Sequence, residues 1–238
     1  MHTLSRTILV TGVSSGIGLA VAEQLLKYGH TVLGIARQAN QVFMEYSDFV
    51  PIALDLTQLD VLSQKIKELQ QAYPTIDAVI FCAGKGRFGA IEQFSYQQID
   101  ALMTLNFTSQ VYLTKALLPD LKRKAQSDLI YIGSEAALKG SRNGALYCAS
   151  KFALRGFTQA LREDCGKSNV RVSLINPGMV KTPFFDELSF EPGDHKSNSI
   201  VPDDVAEAVI YVLNSPNNIV IDEINLSPLN KVVKFKKP

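Results

Sequence analysis

Short runs of Val, Ile and Leu alternate with longer stretches of helical periodicity along the whole chain, and this alternation constrains the fold more than any other feature. Candidate strands lie at Thr7–Thr11, Thr31–Ala36, Phe49–Ala53, Ala78–Phe81, Asp128–Ile132, Val170–Ile175 and Ile219–Ile221. They are near-continuous apolar runs rather than alternating ones, as expected of strands covered on both faces. Helical candidates fall between them at Gly16–Tyr28, Val61–Ala72, Gln97–Leu118, Gly144–Cys165 and Pro202–Asn214. On the first, Ile17, Val21, Ala22, Leu25 and Leu26 form an apolar stripe while Glu23, Gln24 and Lys27 face away. This order demands a parallel sheet with right-handed crossovers, so the expected class is α/β, a doubly wound seven-stranded sheet with helices on both faces.

No Pro/Ser-rich linker or internal repeat divides the 238 residues, which therefore read as one domain able to bury a core without a staple. A hydrophobic fraction of 46% and a charged fraction of 20% exclude a disordered chain. A net charge of +1 offers no global field to nucleic acid or to an anionic membrane. No apolar run approaches membrane-spanning length, and no h-region precedes the first strand. Cys82, Cys148 and Cys165 form neither a disulfide framework nor a zinc pattern, and His2, His30 and His195 make no metal site by themselves. The expectation is a cytoplasmic protein with no metal.

Lys181–Ser199 breaks the rhythm with two prolines, a glycine and three phenylalanines, and is expected to be a substrate-binding loop or lid. The basic run Lys231–Lys237 reads as a solvated end.

Chemistry enters at the first strand–helix junction, Thr11-Gly12-Val13-Ser14-Ser15-Gly16-Ile17-Gly18. Gly12 permits a tight turn, Gly16 lets backbone approach a pyrophosphate, and Gly18 removes a side chain where helix presses on sheet. The free amides and dipole of the helix N-terminus then face the phosphates. The second constellation is Tyr147-Cys148-Ala149-Ser150-Lys151, which sets Tyr147 and Lys151 on one helical face. A free phenol is a poor base at neutral pH, and an adjacent ammonium is expected to draw its pKa downward.

Taken in order, Thr11–Gly18, Cys82-Ala83-Gly84, Asn106, Ser134, Tyr147/Lys151 and Pro177-Gly178 make the chain resemble the short-chain dehydrogenase/reductase family over essentially its whole length. The resemblance implies a Rossmann fold and hydride transfer between a nicotinamide and a carbonyl or alcohol carbon of a small substrate. It implies Tyr147 as general acid and base, with Ser134 holding the substrate oxygen beside it. Lys151 would bind the nicotinamide ribose and lower the tyrosine pKa, and Asn106 would hold a relay water. Cys82 stands where the family has Asn, which puts in doubt a brace between the central strands. The family also implies a homodimer or homotetramer. A nucleotide-sensing protein without turnover is the alternative, against which all four members of the tetrad count.

The same resemblance distributes the cofactor over Gly12, Ser14, Ser15, Gly16, Ile17, Gly18, Arg37, Asp55, Ala83, Gly84, Tyr147, Lys151, Pro177, Gly178 and Thr182. At the end of the second strand Ala36 replaces the carboxylate of an NAD site and Arg37 follows, so NADP(H) is the expected cofactor. Asp55 matches the adenine contact and Thr182 the carboxamide contact. Ser134, Tyr147, Met179, Phe184 and Phe185 are the expected substrate-binding residues. Lys85 and Arg87 offer a minority reading in which the substrate carries a carboxylate.

Overall fold

The computed structural model describes residues 5–39, 43 and 45–236, so His2 and Lys237 lie outside it. The chain runs β1 (Thr7–Thr11), α1 (Gly16–Lys27), β2 (Thr31–Ala36), β3 (Phe49–Ala53), α2 (Leu59–Ala72), β4 (Ile76–Phe81), α3 (Tyr96–Met103), α4 (Ser109–Leu121), β5 (Ser127–Ile132), α5 (Ala145–Asp164), β6 (Val170–Pro177), β7 (Phe190–Pro192), α6 (Pro202–Leu213), β8 (Glu223–Leu226) and β9 (Val233–Phe235). Seven strands form one parallel sheet in the order β3-β2-β1-β4-β5-β6-β8, the doubly wound Rossmann arrangement.

Strand β1 shows why both faces are covered. Ile8 and Val10 enter a core with α1 and α6, while Leu9 between them enters a core with α2, α4 and α5. All three are fully buried, and each contributes on the order of 1.5–3 kcal/mol of transfer free energy. The strand order reverses at β1, whose neighbours are β2 and β4. Crossovers therefore depart in both directions and leave a crevice at the C-terminal ends of β1 and β4.

The N-terminal edge of the sheet is closed by ions. Asp128, fully buried at the start of β5, accepts Arg6 Nη1 at 2.7 Å and Arg171 Nε at 2.7 Å. Arg6 also bonds the Asp77 carboxylate at 3.0 Å and its carbonyl at 3.1 Å. The rest of the Arg171 fork reaches the Ser215 hydroxyl at 2.8 Å and the carbonyls of Ser215 and Leu213.

Two expectations are corrected and a third is extended. The last sheet strand is Glu223–Leu226, not Ile219–Ile221. Ile219 is exposed in a turn, whereas Asn176 Nδ2 bonds Glu223 and Asn225, and Arg155 bonds Glu223 at 3.0 Å. Polar side chains join Ile224 and Leu226, which pack on the core, in seating that strand beside β6. The helix expected over Gln97–Leu118 is interrupted by a π-turn at Thr104–Thr108 and continues through Pro119 to Leu121. Finally, the run from Lys231 is solvated as expected but is tied down, because β9 pairs antiparallel with β7 inside the Lys181–Ser199 loop.

Candidate active site

Gly12 and Gly16 hold φ of +77° and +58°, a region that side-chain-bearing residues rarely adopt. A Cβ at Gly12 would lie 2.9 Å from the Ala83 Cα, and one at Gly18 would strike the Gly12 carbonyl. Helix α1 begins without a side-chain cap and without an acid in its first turn. Its first amides are therefore unsatisfied donors at a positive dipole end, a cradle that fits a pyrophosphate. Ser14 and Ser15 are exposed on the rim, and Ile17 packs against the core below.

The turn after β4 faces this cradle. Thr11 Oγ1 accepts the amides of both Cys82 and Ala83 at 3.1 Å. The brace put in doubt by Cys82 is thus made from β1. Burial pushes the Cys82 thiol up to about 12, with the nearby Lys151 opposing. Arg37 is exposed just past β2, and its charge helps hold the Asp55 carboxyl low, although the larger cause is the Thr57 amide bonding Asp55 at 2.9 Å.

The π-turn explains Asn106. One extra residue in the helical turn rotates this amide inward, where it is fully buried. Its Oδ1 accepts the Lys85 amide at 2.9 Å, and its Nδ2 donates to the Lys85 carbonyl at 2.9 Å and to Ser150 Oγ at 3.1 Å. Asn106 Oδ1 and Lys151 Nζ both border Gly84, 3.4 and 3.7 Å from where a Cβ would sit.

Ser134 follows β5. Its hydroxyl caps the short turn Glu135–Ala137 by accepting the Ala136 amide at 3.1 Å, and its own amide bonds Asn176 Oδ1 at 3.2 Å. Asn176 was not singled out by sequence reasoning, although an Asn inside the apolar run of β6 is a legible signal. It links Arg155 and Glu223 to the Ser134 backbone, and Gly133 is required beside it because a Cβ there would strike its amide oxygen.

Tyr147 and Lys151 stand on one face of α5, 7% and 5% exposed. Lys151 Nζ donates to the Ile132 carbonyl at 3.0 Å and lies 6.0 Å from the centre of the Tyr147 ring. Burial pushes the phenol up to about 12, opposed by the nearby Ser134 hydroxyl. Burial pushes the ammonium down to about 8. Dehydration of the ring thus moves the Tyr147 pKa opposite to the lowering expected from Lys151, whose head group bonds a main-chain carbonyl here.

The Lys181–Ser199 loop closes over this edge. Thr182 packs against Gly16, with its Cβ 3.3 Å from the position a Gly16 Cβ would take, and its hydroxyl caps Pro183–Phe185. Pro177 is buried and Met179 half-buried at the loop's root. Phe184 and Phe88 lie against Tyr147 with ring centres 5.8 and 5.1 Å away. Phe185 is one ring further back, 5.2 Å from Phe184. Outside this wall a cleft of about 250 Å³ runs between Arg87, Phe88, Phe94, Gln98 and Leu188. Lys85 is engaged by Glu187 at 2.6 Å, which weakens its candidacy for a substrate carboxylate.

Known proteins resemble this chain in sequence and in fold. A Staphylococcus aureus (strain MRSA252) protein described as an uncharacterized oxidoreductase is 32% identical over 228 residues, 93% of this chain and 96% of its own length. The structure of ElxO with NADP bound superposes with a TM-score of 0.82 at 21% identity, covering 94% of this chain and 97% of that one. An alcohol dehydrogenase from the archaeon Thermococcus sibiricus, complexed with 5-hydroxy-NADP, gives a TM-score of 0.82 at 24% identity over 93% and 96% of the two chains. These two likenesses show the fold. The family model described as short chain dehydrogenase matches residues 6–192, a span that takes in the glycine turn, Asn106, Ser134, Tyr147 and Lys151, and on this match the chain belongs to the short-chain dehydrogenase family.

Proposed function

We propose that the chain transfers a hydride between NADP(H) and the carbonyl or alcohol carbon of a small substrate. One observation carries the reading: a glycine cradle under an uncapped helix end shares an edge of the sheet with buried Ser134, Tyr147 and Lys151. When bound, the nicotinamide supplies the hydride and the protein supplies position and proton. Gly12 through Gly18 would receive the pyrophosphate. Arg37 and Asp55 would hold the adenosine end, and Ala83, Gly84, Pro177, Gly178 and Thr182 would frame the nicotinamide end.

Tyr147 would deliver a proton to the substrate oxygen in reduction and take it back in oxidation, with Ser134 fixing that oxygen by a second hydrogen bond. Lys151, able to lose its own proton near neutral pH, is suited to bond a ribose hydroxyl and to reload Tyr147. Asn106 clamps the Lys85 backbone and so fixes the turn carrying Gly84. Met179, Phe184 and Phe185 would wall the substrate. The two solved relatives named above hold NADP or 5-hydroxy-NADP, which supports the cofactor assignment together with Arg37. The family supports a homodimer or homotetramer acting on a small molecule in the cytoplasm. Tyr112 on α4 and Phe152 on α5, 43% and 44% exposed, suit such an interface.

Titration with NADPH and with NADH, followed by nicotinamide fluorescence in the parent and in Arg37→Asp, tests the assignment. The parent is expected to bind NADPH at least about tenfold tighter, and the variant to lose that preference, as removal of a charged phosphate contact predicts. Equal binding of NADH by the parent would overturn the NADP assignment. Tight nucleotide binding with no net NADPH consumption on any carbonyl would instead support the sensing protein.

A further inference from the structure

Tyr147 is 7% exposed, and aromatic rings lie over it. Phe88 and Phe184 touch it directly. Phe190 backs both layers of the wall, 4.9 Å from Phe88 and 5.9 Å from Phe185. Phe190 belongs to β7, and among the described residues the strand partner of β7 is β9.

The attachment between them is almost wholly polar. Phe190 pairs with Phe235, Glu191 with Lys234 and Pro192 with Val233. The Lys236 amide bonds the Ser189 carbonyl at 2.8 Å, and the Gly193 amide bonds the Val232 carbonyl at 3.0 Å. Lys236 Nζ reaches back to the Phe185 carbonyl at 2.5 Å and the Asp186 carbonyl at 3.2 Å, gripping the turn that carries Phe184 and Phe185. Lys234 holds Asp194 at 2.8 Å, and Lys231 holds Glu135, next to Ser134, at 2.5 Å. Asn230 bonds the Ser197 carbonyl and accepts from Asn198. Phe235 is itself 75% exposed and Val233 49%, so the strand buries little apolar surface of its own. A segment fastened by exposed hydrogen bonds and lysines, with few buried contacts, opens more readily than the sheet beneath it.

We propose that residues 231–236 are a strap belonging to the active site, with Lys236 as a positioning residue. The strap holds the wall of Phe184, Phe185 and Phe190 shut over Tyr147 and lets go when a substrate enters. Only its effect on turnover rests on the function proposed above.

Hydrogen–deuterium exchange tests the strap on the full chain, on Lys236→Met and on a chain ending at Asn230. The expected result is exchange across Phe184–Gly193 at least about tenfold faster in the shortened chain and about threefold faster in Lys236→Met, with β4 to β6 unchanged. With benzaldehyde as the probe aldehyde, KM is expected to move at least about fivefold in the shortened chain while NADPH affinity stays within about twofold, a split that a general loss of stability would not produce. Unaltered exchange over Phe184–Gly193 in both variants would overturn the strap. Faster exchange spread equally through β4 to β6 in Lys236→Met would overturn the positioning role. If the shortened chain does not fold, Lys236→Met decides alone. If the parent consumes no NADPH with any carbonyl but the exchange pattern holds, the function falls and the strap stands.

Discussion

At the N-terminal edge of the sheet Asp128 meets two guanidinium groups, and the remaining donors of Arg6 and Arg171 find the Asp77 carboxylate, carbonyls or a hydroxyl. At the C-terminal edge Lys151 is just as deeply buried, yet it has one carbonyl and, among the described residues, no carboxylate partner. Both edges take charge out of water, but only the first compensates it. A compensated charge stays ionised and ties strands together, while an uncompensated one is driven toward its neutral form. Tyr147 beside Lys151 is pushed the opposite way, up to about 12. One end of the sheet thus ties its strands together with paired ions, and the other buries a phenol and an ammonium with no carboxylate partner for the lysine among the described residues.

Asp128→Ala would break this contrast most severely, leaving buried Arg171 without an anion and Arg6 with Asp77 alone. The expected loss is about 3–5 kcal/mol, read as a fall in the urea midpoint of unfolding. A loss below about 1 kcal/mol would show that water reaches the edge and that the ions are not buried in the sense argued here.

Tyr147→Phe tests the other edge at nearly the same scale. It removes only a hydroxyl, so turnover by the proposed proton donor is expected to fall about a thousandfold while NADPH affinity stays within a few-fold. Turnover within tenfold of the parent would mean that the proton comes from elsewhere.

The Lys151 ammonium gives a pH signature of smaller size. Its folded pKa of about 8 lies below the ordinary 10.5, so between those values the unfolded chain holds the proton and the folded chain does not. Stability attributable to this group must therefore rise as pH climbs from about 8 toward 10.5, with a limiting slope of about 1.4 kcal/mol per pH unit. Tyr147, raised from 10.0 to about 12, works in reverse and erodes stability above pH 10. Urea unfolding of the parent and of Lys151→Met at several pH values between 7 and 10 checks the sign. A parent-minus-variant difference that falls over this range would refute the dehydrated lysine.

Ser173 sharpens the comparison from inside β6. It is 2% exposed and its hydroxyl finds no partner in the structure, an uncompensated group with no charge at all. Ser173→Ala is expected to be neutral or stabilising by up to about 1 kcal/mol, measured as a shift in Tm. A clear destabilisation would reveal a bond to water at that position.

Much of this was legible in the residues. The apolar runs announced the strands of the sheet's centre because a strand buried on both faces has almost no room for polar side chains. The glycine turn and Tyr147/Lys151 were legible because local geometry alone, a φ above zero or an i,i+4 spacing, brings their parts together. Strand β8 was misplaced by the same logic: its seating beside β6 draws on Asn176, Glu223 and Arg155, far apart in the chain and silent in a hydropathy pattern. The inward turn of Asn106 was hidden as well, since the extra residue of a π-turn re-phases the helix faces and no residue type in the stretch announces it.

By itself the sequence determined the layer order, the glycine turn and the shared helical face of Tyr147 and Lys151, all of which follow from short-range spacing and from the need to bury apolar runs. Only the tertiary structure decided how those side chains are protonated and how they are covered. The pKa of Tyr147 depends on rings contributed by residues 88 and 184 and on where Lys151 points. The closure of the wall depends on a C-terminal run, read as a loose end, that finds its hydrogen-bond partners some 45 residues back in the chain, as the pairing of Phe190 with Phe235 shows. Dehydration and long-range backbone pairing are properties of the assembled chain, and no local pattern encodes them.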